Sequence, residues 1–260
     1  MLGTWQNVVI VFAAIVFSLA FWWFVRRVWP PERRREHNDI TGWQVSVLGT
    51  TYAVIIGFML FAVWSSFQDA QQNAQGEASC LVNLYWAASG LPQAQRDQIR
   101  GLAHEYAEAM ISDEWPAMNR GEITPIGTEI MQRMWKTASQ SQSLSASEQV
   151  SLDQTLVLLS SITQHRRVRQ LQSQTSLPGI LWAVLIVGAI ITIMSACLFG
   201  SELPALHMLQ IVTLALMLSM ALVAIADINR PFQGAVHITP TGFENARHVF
   251  EKYGDPPGTR

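Results

Sequence analysis

The chain has 260 residues, half of them hydrophobic and only 14% charged, with a formal net charge of −2. An average soluble domain carries about 25% charge, and the mean hydropathy here is positive. This excludes an ordinary soluble enzyme, an intrinsically disordered chain and a nucleic-acid binder, which would show a strong basic excess. Two cysteines, Cys80 and Cys197, cannot build a disulfide framework. Cys197 lies within an apolar run and reads as a small buried hydrophobe.

Four charge-free stretches organise the chain: from Met1 to Val25, Ile40 to Gln68, Gln170 to Ser201 and Leu203 to Ala226. About 20 mostly apolar residues cross the hydrocarbon core, and a helix satisfies its own backbone there. The predicted spans are 6–25, 45–67, 178–199 and 206–227. A cleavable signal would place its basic residues before the apolar core, whereas Arg26 and Arg27 follow it. Trp5, Trp22, Trp23, Trp29, Trp43, Trp64 and Trp182 sit near span ends, where aromatic side chains settle at the lipid–water boundary.

The implied domains are a hairpin of two spans (1–67), an extramembrane insert (68–177), a second hairpin (178–227) and a polar tail (228–260). The insert reads as helical. Asp69 to Ser89 prolongs span two, and Leu91-Pro92 ends it, because proline disfavours helix at the preceding residue. Ile99, Leu102, Tyr106, Ala109 and Met110 recur at helical spacing after Gln93. Ile126 to Ala138 forms another helix, and a Ser-rich loop covers 139–147. Ser145 with Glu148 makes a capping box that opens a long helix carrying Leu152, Leu156, Leu159 and Ile162 on one face. The Gly- and Pro-containing tail is predicted to be irregular.

Orientation follows basic residues near the spans. Arg26, Arg27, Arg33, Arg34 and Arg35 lie between spans one and two, against Arg166, Arg167, Arg169 and Arg230 on the other side. This count puts the 26–44 loop in the cytoplasm of an inner-membrane protein and the insert outside.

No phosphate-binding glycine loop, Cys-x-x-Cys pair or His-Glu-x-x-His run is present, so no enzyme, cofactor or metal is expected. His104 and Glu108 stand one turn apart, but a bound ion needs three or more ligands, so they read as a solvated helix face. His207, at the head of span four, reads as an interfacial or packed histidine. Asp227 and Arg230 mark the end of that span, and Asp227 is either a structural terminus or part of an ion path. The basic cluster Arg166, Arg167 and Arg169 has two readings: an anchor to anionic headgroups, or an electrostatic ring repeated around an axis, which favours anions.

Span two carries the most information. Gly42, Ser46, Gly49, Ala53 and Gly57 recur every three or four residues, a spacing that lets helices approach closely. Thr50 adds a second hydroxyl to this face. One reading is helix packing. The other is a pore lined by Ser46, Thr50, Ala53 and Gly57, with Phe58 and Phe61 as an apolar constriction that gates by dewetting. Gly188, Thr192 and Ser195 form a weaker face of the same kind on span three.

The layout, the stretch from Val47-Leu48-Gly49 to Trp64-Ser65-Ser66-Phe67, and the segment Asp227-Ile228-Asn229-Arg230-Pro231-Phe232-Gln233-Gly234 together resemble the bacterial bestrophin-like membrane family. That family is distantly similar to bestrophins, homopentameric anion channels that carry chloride through a pore lined by the second helix. The resemblance implies a homo-oligomer in the lipid bilayer, permeant anions, Phe58 at an apolar neck, and an insert and termini in the cytoplasm, opposite to the arginine count. The acidic run that clasps calcium in eukaryotic bestrophins is missing, since no acid follows Asp227 before Glu244.

The sequence therefore predicts an all-α integral membrane protein: four transmembrane helices and a helical insert between helices 2 and 3. It is expected to form a pentameric anion channel. The rival is a non-conducting scaffold or sensor whose insert binds a partner.

Overall fold

The structure is a computed structural model that describes residues 4–140 and 144–253. Its elements are helical throughout, with no strand among the described residues. In chain order they are α1 (Thr4–Val28), α2 (Pro31–Arg35), α3 (Asn38–Ala87), α4 (Gln93–Ala109), α5 (Trp115–Asn119), α6 (Ile126–Ser139), α7 (Ala146–Gln174), α8 (Gly179–Cys197), α9 (Pro204–Ile228) and α10 (Thr241–Tyr253). Four of these, α1, α3, α8 and α9, are long and apolar enough to cross a membrane.

The chain divides into two compact units, residues 1–66 with 176–229 and residues 67–175 with 230–260. In the first, the apolar unit, α1 packs on α8 and α9. Ile193, Cys197, Ile211 and Ala215 are buried against Ile15, Phe21 and Trp22. A second cluster joins Val63, Leu185 and Ile225 to Met59 and Trp182.

Polar groups inside this unit are few, some answered within their own helix and others across helices. The hydroxyls of Ser18, Thr192 and Ser219 donate to the carbonyls of Ala14, Gly188 and Ala215 one turn back. Tyr52 donates to the carbonyl of Leu185 at 2.5 Å. Gly188 makes room for that ring, because a Cβ there would lie 2.4 Å from Tyr52 Cε2. Arg34 is buried and donates to the carbonyl of Cys197 at 2.9 Å, which uses one of the carbonyls left open at the end of α8. Asn38 and the Gly200 backbone exchange two hydrogen bonds of 2.9 Å.

The second, polar unit contains α4 to α7, α10 and the C-terminal part of α3. Proline at position 92 stands at the N-terminus of α4. The Ser145 hydroxyl accepts from the Glu148 N–H, and Glu148 reaches back to the Ser145 N–H, completing the expected capping box. These contacts hold the Glu148 carboxyl below the usual carboxylate range. The expected loop 139–147 lies partly outside the described residues.

Residues 241–253 correct the irregular tail expected from sequence. They form α10, which buries Phe243, Ala246 and Phe250. Phe250 stacks on Tyr85 with centroids 4.6 Å apart, and Phe243 meets Trp115 edge-on at 5.4 Å. The glycines and prolines that suggested irregular structure lie, apart from Gly242, outside this helix.

Candidate functional site

Two sets of side chains stand out, one in each unit. In the apolar unit, α3 leaves a face uncovered. Ser46, Thr50, Ala53, Gly57, Phe58 and Phe61 are all exposed, with Phe58 at 71% and Phe61 at 69%. Beyond the adjoining residues and the surrounding backbone of α3 itself, no described residue comes within 4 Å of a Cβ built on Gly49 or Gly57. Gly42 is closer to a neighbour, with Phe199 at 3.4 Å. The small-residue stripe is therefore not consumed by packing within one chain. The two hydroxyls differ. Ser46 donates to the Gly42 carbonyl at 2.8 Å, while Thr50 makes no hydrogen bond to a described residue. On α8 the weaker stripe behaves oppositely: Thr192 and Ser195 are buried, and Gly188 is filled by Tyr52.

The ends of the spans are tied together. Asn7 donates to Asp227 at 2.8 Å. Trp22 Nε1–H donates to His207 Nδ1 at 3.1 Å, so Nε2 carries the ring proton and faces the Ala196 carbonyl at 3.2 Å. His207 is thus a packed histidine. Arg230, at the start of the polar unit's tail segment, is exposed and donates to Gln233 at 3.3 Å.

The polar unit holds a charged cluster that the sequence did not reveal. Arg169 is fully buried and pairs with Glu77 at 2.7 Å and Glu114 at 3.0 Å. Arg166, also buried, binds Glu114 through both terminal nitrogens, at 2.8 and 2.5 Å. Tyr106 donates to the second oxygen of Glu77 at 2.5 Å, and the Gly127 N–H donates to Glu114 at 3.3 Å. Two arginines and two glutamates balance in charge, as burial requires. Burial and the adjacent Glu77 carboxylate push the Tyr106 hydroxyl well above its usual range, against the pull of the two arginines. For Arg169, burial disfavours the charge most strongly, but Glu77, Tyr106 and Glu114 together outweigh it and the net shift is upward.

One backbone irregularity makes this cluster possible. Between α4 and α5, Met110 to Glu114 wind as a single π-helical turn. The wider turn accommodates an extra residue and brings Glu114 into the core. Gly127 is needed beside it: a Cβ there would lie 2.3 Å from Arg166 and 2.6 Å from Glu114.

This placement corrects the expected role of two residues. Arg166 and Arg169 form neither a headgroup anchor nor a ring of free cations, because both are buried and neutralised. Arg167, between them, remains exposed. Sequence reasoning missed the cluster because Glu77 and Glu114 lie far from α7 along the chain, and the π turn has no simple sequence mark. Of the half-site considered on α4, Glu108 pairs with Arg247 at 3.1 Å. Among the described residues, no three His, Cys, Asp or Glu groups come together as a metal would need.

Residues 12–243 match the family described as bestrophin-like domain. The chain belongs to that family, a class of helical membrane proteins. Two solved structures are similar over 96% of the chain. One is a point variant described as a membrane protein, with a TM-score of 0.70, 12% identity and 99% of its own chain covered. The other is a point variant of a bacterial bestrophin homolog from Klebsiella pneumoniae, with a TM-score of 0.65, 13% identity and 100% of its chain covered. At this identity the likeness is one of fold. No curated protein matched the chain.

Proposed function

We propose that the protein is a homo-oligomeric ion channel of the bestrophin-like kind, built as a pentamer with the span-two part of α3 lining the pore. The observation that carries this reading is the uncovered face of α3. A membrane helix gains little by leaving small residues at lipid, since lipid is already as apolar as leucine. Ser46, Thr50, Ala53 and Gly57 suit a wetted or helix-facing surface, and the large exposed rings of Phe58 and Phe61 suit a constriction that gates by dewetting. Family membership points the same way.

Anions such as chloride are the proposed cargo. Ile40 to Gln68 carries no acid to repel them, and the unengaged Thr50 hydroxyl can donate a hydrogen bond to an anion. Arg167 is the remaining candidate for a basic ring, because Arg166 and Arg169 are neutralised.

The test is flux from liposomes containing the purified full-length protein under a chloride gradient. Chloride-dependent current from an intact oligomer is expected. An intact oligomer that passes no ion would favour the scaffold reading instead.

A further inference from the structure

The polar unit contains a cavity of about 390 Å³ that none of the interactions above uses. One wall is a turn of α3 with Gln71 and Gln75. The opposite wall is the segment from His237 to Phe243, with Trp115 at the side. Its volume falls in the range of small-molecule sites, roughly 300–1,000 Å³.

The lining decides the ligand class. No Asp, Glu, Lys or Arg is among its residues. Apart from the His237 imidazole, it therefore offers neither the anionic oxygens that a hard cation requires nor the cationic donors that clamp a phosphate or carboxylate. It does offer one aromatic side, the packed Trp115–Phe243 pair, beside two carboxamides. Gln71 and Gln75 are one helical turn apart and exposed, and their side chains make no hydrogen bond to any described residue. A carboxamide presents one acceptor and a two-proton donor, so it pairs with another amide through two hydrogen bonds. The far wall is held in place: the Trp115 indole N–H donates to the Ile238 carbonyl at 2.9 Å, and the Thr239 and Thr241 hydroxyls share a hydrogen bond of 2.8 Å.

We infer that this cavity binds a small uncharged aromatic amide or lactam, with its ring against the packed Trp115–Phe243 pair and its amide edge on Gln71 and Gln75. The bound molecule fastens the 237–243 segment to α3. The consequence for conduction rests on the channel reading, because α3 also supplies the proposed pore face. The site itself does not rest on it. A ligand shifts a gating equilibrium only by its differential affinity for the two states.

The test uses full-length protein in lipid nanodiscs with benzamide as the probe, and benzoate and calcium as comparators. Ligand-observed NMR should show saturation transfer to benzamide. The Gln71→Leu/Gln75→Leu variant, altered at exposed positions and checked by its elution as an intact oligomer, should bind benzamide about tenfold more weakly, the usual scale for lost polar pairs. Benzoate, of the same shape but charged, should bind more weakly than benzamide to the unaltered protein. Undetectable benzamide binding at millimolar concentration would overturn the proposal. So would equal binding by the variant, or a response to calcium alone. Benzamide binding that depends on the glutamines, in a protein that passes no current, supports the site and refutes only the channel.

Discussion

The two units solve the same problem, burying polar atoms in an all-helical protein, with a different balance: backbone carbonyls answer most buried donors in one, and carboxylates answer guanidiniums in the other. In the apolar unit, hydroxyls turn back onto carbonyls of their own helix, as at Ser18, Thr192 and Ser219, and one helix face stays uncovered. In the polar unit, full charges are carried into the core and joined across long sequence distances, Glu77 to Arg169 and Glu114 to Arg166. Local pairing leaves a helix free to meet other copies. Long-range ion pairing locks one arrangement of the chain, since an unpaired buried charge costs several kcal/mol. On the channel reading proposed above, neighbouring copies complete the apolar unit, whereas the charged cluster of the polar unit closes on itself.

Breaking the ion cluster gives the largest expected effect. Arg169→Ala leaves Glu77 and Glu114 buried with one cation fewer, and should cost about 3–5 kcal/mol in thermal or denaturant unfolding of the full chain. Replacing the pair together, Glu77→Gln with Arg169→Met, should cost less than the single change, because no uncompensated charge remains. A double variant as damaged as the single would refute this account. Gly127→Ala should come next, at about 1–3 kcal/mol for overpacking, because the new methyl meets Arg166, Glu114 and Met110 at once.

The uncovered face should respond in the reverse sense. Phe58→Ala removes a large ring exposed within the chain, so thermal stability of the polar unit should be unchanged while basal ion leak rises severalfold. A drop in stability with no change in leak would make Phe58 a packing residue. Thr50→Val keeps the shape but removes the donor, and should lower anion current with little effect on oligomer formation.

The pH dependence sharpens the contrast further. The folded state holds the Tyr106 hydroxyl neutral well above its ordinary value of about 10. The raised folded value means that this group's stabilisation is complete below pH ~10 and is lost as pH climbs from there toward the folded value. Tyr106→Phe should therefore flatten the alkaline loss of stability, measured by urea unfolding across that window. The smallest effect belongs to Ser145→Ala, which removes the α7 cap and should cost about 1 kcal/mol, read as a small fall in melting temperature. A reporter placed in the serine-rich loop reads the side of the insert: external signal follows the arginine count, and cytoplasmic signal follows the family layout.

What the sequence made legible was local. Charge-free runs marked the four spans, Leu91-Pro92 marked a break, and Ser145 with Glu148 marked a helix start, because each depends on residues within a few positions. The stripe on α3 was visible from its spacing, but not which residues the chain itself would cover. Only the structure shows Gly42 near Phe199 and Gly49 open. Arg166 and Arg169 were misread because an arginine beside a span normally faces headgroups, and their acidic partners lie on α3 and in the π turn. Helix α10 was hidden by the turn-forming residues around it, although Phe243, Ala246 and Phe250 already had helical spacing.

The single wide turn at Met110 to Glu114 has an evolutionary corollary. It behaves as a one-residue insertion absorbed by wider winding, so removing one residue there would restore ordinary α winding with the flanking helices still in phase, while undoing the local offset that carries Glu114 into the core. The carboxylate would leave its guanidiniums, stranding Arg166 and leaving Arg169 with Glu77 alone. A deletion that looks harmless in an alignment would thus be among the least tolerated changes in the chain. Length in this segment should be as tightly kept as the identity of any side chain it carries.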